Sequence, residues 1–211
     1  MSGTGSKSVL VADCTTTDIL DSGAYFQRLP AIIRRLPYGT IDTVTSVFHD
    51  AYRADRTLFI FGNGGSAALA SHGACDFGKG TCVNGNRRFR VMSLTDNVPL
   101  LTAWANDQRY DDIFAEQLRT FARAGDVVFA ISGSGCSPNI LNGLQIARDS
   151  GAKTVGLTGF DGGKMKILCD LCIVVPSDDM QLIEDTHVAI AHSIFTVLRR
   201  RIIVESESLS E

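Results

Sequence analysis

Short apolar runs, most of them stopped by glycine or proline, alternate along this chain with stretches whose apolar residues recur every three or four positions. The runs are TLFIF (57–61), FRVMSL (89–94), DVVFAIS (126–132), KTVGLTG (153–159) and LCIVVP (171–176). They are apolar nearly throughout, the pattern of strands buried on both faces. Helical spacing predicts helices over Thr17–Leu29, Ile41–Tyr52 and Ser66–Phe77. It predicts more over NVPLLTAWAN (97–106), YDDIFAEQLRTFARAG (110–125, with Gly125 as the closing glycine), SPNILNGLQIARDSG (137–151) and Met180–Arg201. Strands that alternate with helices make a doubly wound α/β fold: a parallel sheet with two extra N-terminal helices and a long C-terminal helix. Residues 1–16 read as a flexible segment, 17–203 as a single domain and 204–211 as a disordered tail.

Bulk properties narrow the function classes. The 211 residues suit one such domain, and a hydrophobic share of 45% against 20% charged residues is ordinary for a soluble chain with a core. With 20 basic against 23 acidic residues the net charge is -3, so no nucleic-acid footprint is expected. The one dense basic cluster, LRRRI (198–202), closes an apolar-periodic segment, where basic residues suit a helix C-terminus. No run of about 18 apolar residues is present, so no membrane span is expected. The start lacks a signal-peptide pattern, and the six scattered cysteines read as reduced thiols of a cytoplasmic chain. Cys169 and Cys172 form a CxxC that leads into a strand instead of a helix, which favours a buried structural pair over a redox pair.

Two strand ends carry the same kind of loop. FGNGGSAA (61–68) and ISGSGCSPN (131–139) each run from a strand through small and hydroxyl residues into a helix. Glycine lets the backbone approach an anion, and free N–H groups at a helix start attract it. Asn63, Gly64, Gly65 and Ser66 in the first loop, and Ser132, Gly133, Ser134 and Ser137 in the second, are therefore candidate phosphate contacts. One such loop serves equally well as a tight turn with an N-cap; two in one sheet point to binding.

GNGGS, ISGSGCSPNI and LTGFDGGKM together resemble the sugar isomerase (SIS) domain family, and within it the phosphoheptose isomerases, over about Ile19–Ile202. The resemblance implies a five-stranded parallel sheet, a homotetramer with active sites at subunit contacts, and aldose–ketose isomerisation of a sugar phosphate. The expected reaction takes sedoheptulose 7-phosphate to D-glycero-D-manno-heptose 7-phosphate through an enediol, which needs a base beside the carbonyl and an acid for its oxygen. No nucleotide cofactor is expected. A second function class, a non-catalytic phosphosugar sensor or assembly adaptor of the same fold, shares the loops.

The histidines are His49, His72, His187 and His192. His49, in SVFHDAYRA, reads as a partly exposed structural residue. His72 and Asp76 lie at i and i+4 and share a helix face. On the last helix Asp185 and His192 lie about 20° apart, with Glu184 between His187 and His192 in angle. The resemblance places the family's acidic position at Asp76, its catalytic histidine at His192 and its last-helix glutamine at Glu184. Asp76 or Glu184 would be the base and His192 the acid. It also implies a zinc site made of His72, Asp76, Glu184 and His192. Asp96 is expected near the sugar hydroxyls or as the cap of the helix after it, and Lys79 beside a phosphate or at a solvated helix end. Both departures, aspartate at 76 and glutamate at 184, bear on which sugar phosphate is used.

Overall fold

The computed structural model describes residues 19–83 and 87–208, so the N-terminal segment 1–16 lies outside the described residues. Five parallel strands form one sheet: β1 (Thr57–Gly62), β2 (Arg90–Ser93), β3 (Val127–Ile131), β4 (Lys153–Thr158) and β5 (Leu171–Val174), in the spatial order β2-β1-β3-β4-β5. The change of direction lies at β1, which pairs with both β2 and β3. In open α/β sheets that is where ligands bind, outside the carboxyl ends of the strands.

Alternate residues of each central strand feed two separate cores. Leu58 and Ile60 of β1 join Val127, Phe129 and Ile131 of β3 in one, with Phe48, Phe77, Ile183, Ile190 and Ile194. Phe59 and Phe61 join Val128 and Ala130 in the other, with Phe114, Leu118, Ile140, Leu144 and Met165. Both faces are covered, which is why the runs are continuously apolar. The first layer consists of α1 (Ser22–Ile33), α2 (Tyr38–Arg53), α3 (Gly65–Cys75) and α8 (Met180–Ser208); α5 (Ala115–Phe121) and α6 (Pro138–Asp149) form the second. Phe48 anchors the first core with edge-to-face contacts to Phe77 and Phe129 at centroid distances of 5.7 and 5.4 Å, each worth about 0.5–1.5 kcal/mol beyond burial.

Several boundaries differ from those the sequence predicts. The first helix begins at Ser22, where Asp21 caps it by accepting from Ala24 N at 2.8 Å, and it runs through Pro30 to Ile33. Arg28 pairs with Asp179 at 3.0 Å and Tyr25 donates to Asp185 at 2.6 Å, so the start of α8 holds α1 in place. Burial and that acceptor push the Tyr25 hydroxyl pKa up to about 12. The segment 110–125 splits into a 3₁₀ turn (Tyr110–Asp112) and α5, which ends at Phe121. Gly125 therefore does not close the helix; at φ +87° it makes the turn into β3, fixed by Asp126, which accepts from Arg123 N. A short helix the sequence reading lacked, α7 (Met165–Leu168), packs Met165 under the sheet.

The last helix extends to Ser208, so 204–208 is helix and not tail. Glu205 explains this: it pairs with His49 at 3.0 Å and Arg53 at 3.1 Å on α2, which makes the polar ESES stretch a docked last turn. Cys169 and Cys172 are partly buried free thiols against Gly156. Burial raises both, to about 12 and about 11, as a structural pair requires. Among the described residues no helix is long and apolar enough to cross a membrane.

Candidate active site

The first loop leaves β1 through Gly62, whose missing side chain is needed: a Cβ there would come within 2.8 Å of Ser66 and of the Ile131 carbonyl oxygen. Gly64, at φ +55°, then turns the chain so that α3 starts at Gly65 with its first N–H groups facing out of the sheet. Ser66 is buried in that first turn. The second loop is built similarly. Ser132 Oγ accepts from Gly135 N at 3.2 Å, Ser134 Oγ accepts from Cys136 N at 3.3 Å, and the Gly133 carbonyl accepts from Thr158 Oγ1 at 3.1 Å. Ser137 precedes α6 and makes no capping bond with its side chain, which leaves its hydroxyl available.

A pair the sequence reading lacked ties the loops together. Asn63 Nδ2 donates to Asn139 Oδ1 at 2.9 Å and Asn139 Nδ2 donates back to Asn63 Oδ1 at 2.8 Å. Tyr110 OH adds a third bond to Asn63 Oδ1 at 3.2 Å. Asn139 is 1% exposed, and an asparagine buried in a helix's first turn needs a partner, which Asn63 supplies.

At the far end of α3, three candidate side chains converge. His72 Nε2 lies 3.4 Å from Asp76 Oδ2, His192 Nε2 lies 3.7 Å from the same oxygen, and the two Nε2 atoms are 3.3 Å apart. Helix α3 passes there into one wide π turn, Asp76–Gly80. The turn drives Phe77 into the core against Phe48 and Phe195 and leaves Asp76 beside His72. Gly80 is required by Phe195, whose ring would meet a Cβ at 2.4 Å. His72 and His192 are each 48% exposed, so the group faces outward.

This group suits a metal ion. Ligand atoms at zinc bonds of about 2.0–2.1 Å in a tetrahedron sit about 3.3 Å from one another. The three pairs here span 3.3, 3.4 and 3.7 Å, and all three atoms lie within 4.8 Å of one another. Two imidazoles and one carboxylate leave a fourth position open, as catalytic zinc sites do.

Glu184 stands outside the group, contrary to the expected quartet. Its carboxylate lies over Gly65, where a Cβ would meet its oxygens at 3.0 and 3.1 Å. Eight residues along α8 separate it from His192, about 12 Å of axial rise. The two also differ by about 80° around the helix. Glu184 instead borders a cavity of about 180 Å³ with Gly65, Ser66, Leu69, Asp185 and His187. Among the described residues it makes no hydrogen bond or ion pair.

Asp96 is likewise not in the group. It accepts a short hydrogen bond from Ser71 Oγ at the edge of a groove along β2. It does not cap α4 (Val98–Asp107) either: Asn97 does, accepting from Leu100 N at 3.1 Å. Lys79 is exposed on the π turn and makes no ion pair among the described residues.

Comparison with known proteins agrees with this architecture. The SIS domain matches residues 24–159. The chain is 38% identical to the phosphoheptose isomerase of Pelobacter propionicus over 188 residues, 89% of this chain and 97% of that one. It is 46% identical to that of Bradyrhizobium sp. (strain BTAi1 / ATCC BAA-1182) over 144 residues, 68% and 72% of the two chains. The solved phosphoheptose isomerase of Neisseria gonorrhoeae superposes with a TM-score of 0.78 at 27% identity, over 83% of this chain and 95% of that one. With both loops and the His–Asp group in place on this sheet, the chain belongs to the SIS-domain family, in the company of the phosphoheptose isomerases.

Proposed function

We propose that this protein is an aldose–ketose isomerase of sugar phosphates that converts sedoheptulose 7-phosphate to D-glycero-D-manno-heptose 7-phosphate. The observation that carries the proposal is the Asp76–His192 pair at 3.7 Å beside His72, at the other end of α3 from the two anion loops. From Ser66 to His72 or Asp76 is about 9–15 Å along the helix, a span suited to a long sugar phosphate and too great for a triose phosphate. The phosphate sits against Ser66, Ser134 and Ser137, the first N–H groups of α3 and the Asn139 N–H of α6, which together offer donors and two positive helix ends.

At the other end Asp76 takes the proton from the carbon next to the carbonyl, and His192 carries the proton to and from oxygen. A base and an acid 3.7 Å apart reach adjacent atoms of one substrate. Glu184, about 12 Å from His192 along α8, cannot share the C1–C2 unit with it within one chain. His72 Nε2 lies 3.4 Å from the same Asp76 oxygen and 3.3 Å from His192 Nε2, which holds the pair in place. Zinc, if held by His72, Asp76 and His192, would supply a Lewis acid for the carbonyl oxygen in place of the His192 proton, because an Nε2 that ligates zinc carries none. The reading includes a cytoplasmic homotetramer; the outward-facing group and the exposed Phe26 (62%) and Ile33 (42%) on α1 support burial of these surfaces by further copies.

Proton exchange tests the proposal. Purified protein with sedoheptulose 7-phosphate in D₂O should place deuterium at C2 of an aldoheptose phosphate, read by NMR, with added zinc and after chelation as separate arms. No exchange with this sugar in any arm, nor with five- and six-carbon ketose phosphates, refutes catalysis and leaves phosphosugar binding alone.

A further inference from the structure

The cavity at the start of α3 contains a group that the isomerase chemistry above does not use. His187, on α8 one turn past Glu184, forms part of its wall and is only 1% exposed. Among the described residues neither ring nitrogen has a hydrogen-bond partner. The Thr158 backbone is the one group that acts on the ring as an acceptor, and it can serve at most one of the two nitrogens. Leaving a buried polar atom unsatisfied costs about 1–3 kcal/mol, and native proteins rarely leave both nitrogens of one ring so. The partner of the remaining nitrogen must come from what fills the cavity. Its volume of about 180 Å³ has room for a few waters, at roughly 30 Å³ each, or for part of a ligand.

We propose that His187 is a positioning residue that hydrogen-bonds a hydroxyl of the bound sugar phosphate from the wall of this cavity. The inference rests on the sugar-phosphate reading. Burial holds the ring neutral, with its pKa lowered to about 4 despite the opposing pull of the Thr158 carbonyl. A neutral imidazole has one donor and one acceptor, and so does a hydroxyl, so the two match in either orientation. A phosphoryl group matches poorly, since it needs several donors and would face the carboxylates of Glu184 and Asp185 on the same wall. Those carboxylates are acceptors, suited to the protons of neighbouring hydroxyls. The part of the lining that carries His187, Glu184 and Asp185 therefore selects a hydroxyl, while Ser66, which this cavity shares with the first anion loop, and the serines of the second loop select the phosphate.

The test starts with wild-type protein labelled with ¹⁵N-histidine, titrated with sedoheptulose 7-phosphate and, separately, with inorganic phosphate. His187→Gln assigns the His187 signals. The sugar phosphate should shift both ring-nitrogen signals and inorganic phosphate should leave them in place. In kinetics, His187→Leu should raise KM about five- to tenfold with kcat within about twofold, the size of one lost neutral hydrogen bond. His187→Gln, which keeps a donor and an acceptor, should recover most of it. If the wild type isomerises the sugar yet its His187 signals stay fixed at saturation, the inference is overturned and His187 is only a core residue. The wild-type titration decides this even if the leucine variant does not fold. If the wild type neither binds nor isomerises any sugar phosphate, the sugar-phosphate reading fails first and this inference falls with it.

Discussion

Replacing Asp76 and Glu184, one at a time, by their amides separates two carboxylates that the sequence leaves as equal candidates for the base. Each amide keeps the size of the side chain and removes its charge. Asp76 Oδ2 is 3.7 Å from His192 Nε2, and a positioned general base contributes about 10²–10⁴ in rate. Asp76→Asn should therefore lower kcat by at least a hundredfold. Glu184 acts on the reacting carbon only through its field. At about 12 Å, Coulomb's law gives roughly 1.4 kcal/mol at an effective dielectric of 20 and about 0.3 kcal/mol in water. That charge opposes the negative charge developing on an enediolate, so Glu184→Gln should raise kcat by about two- to tenfold. The assay is kcat and KM on sedoheptulose 7-phosphate, with deuterium exchange into C2 as the direct measure of proton abstraction. If Glu184→Gln abolishes exchange while Asp76→Asn retains it, the distance reasoning is refuted, and Glu184 reaches the reacting carbon from another chain.

Three further outcomes follow from the same geometry. Calorimetric titration with zinc should give one ion per chain, and His72→Ala should cost more affinity than the ten- to hundredfold typical of an outer-shell partner. Gly135→Ala should lose about 1–3 kcal/mol, or about 2–12 °C in Tm at about 2–4 °C per kcal/mol; φ is +62° and a Cβ would lie 2.3 Å from the Gly162 carbonyl oxygen. Burial lowers the His187 pKa from 6.5 to about 4 in the folded protein. The unfolded chain therefore binds the extra proton between those values, and stability should rise with pH across that window. Denaturant unfolding at pH 4.5 and 7 should show this slope in the wild type and a shallower one in His187→Gln; equal slopes would contradict a buried neutral ring.

The sheet was legible because five short apolar runs, most of them ended by glycine or proline, alternate with helical periods, although the edge strand β2 is largely exposed. Element ends were less so, for identifiable reasons. The polar tail ESES looks solvated until Glu205 meets His49 and Arg53, two residues 150 or more positions away. Asp76–Gly80 reads as a helix running out into glycines, and only the burial of Phe77 between Phe48 and Phe195 shows why the turn widens. At the site, the i, i+4 spacing of His72 and Asp76 was visible, and so was the oddity of His192 within an apolar stretch. Glu184 was placed with them by the family resemblance, and within one chain about 12 Å of rise along α8 keeps it from His192. The Asn63–Asn139 pair was invisible, since nothing local links positions 76 residues apart.

Helix α8 supplies His192 to a group whose other two members lie on or just after α3, more than a hundred residues earlier. Every strand of the sheet, both anion loops and His72 with Asp76 are therefore made before the segment that completes the His–Asp group. During synthesis the nascent chain can gather its sheet and present its serine loops while still lacking the acid of the proposed reaction. A chain cut short before Met180 would keep the strands and the loops but neither His187 nor His192. Proton transfer is thus the last capacity this polypeptide acquires, and the docking of its final helix both closes one face of the sheet and completes the proposed site.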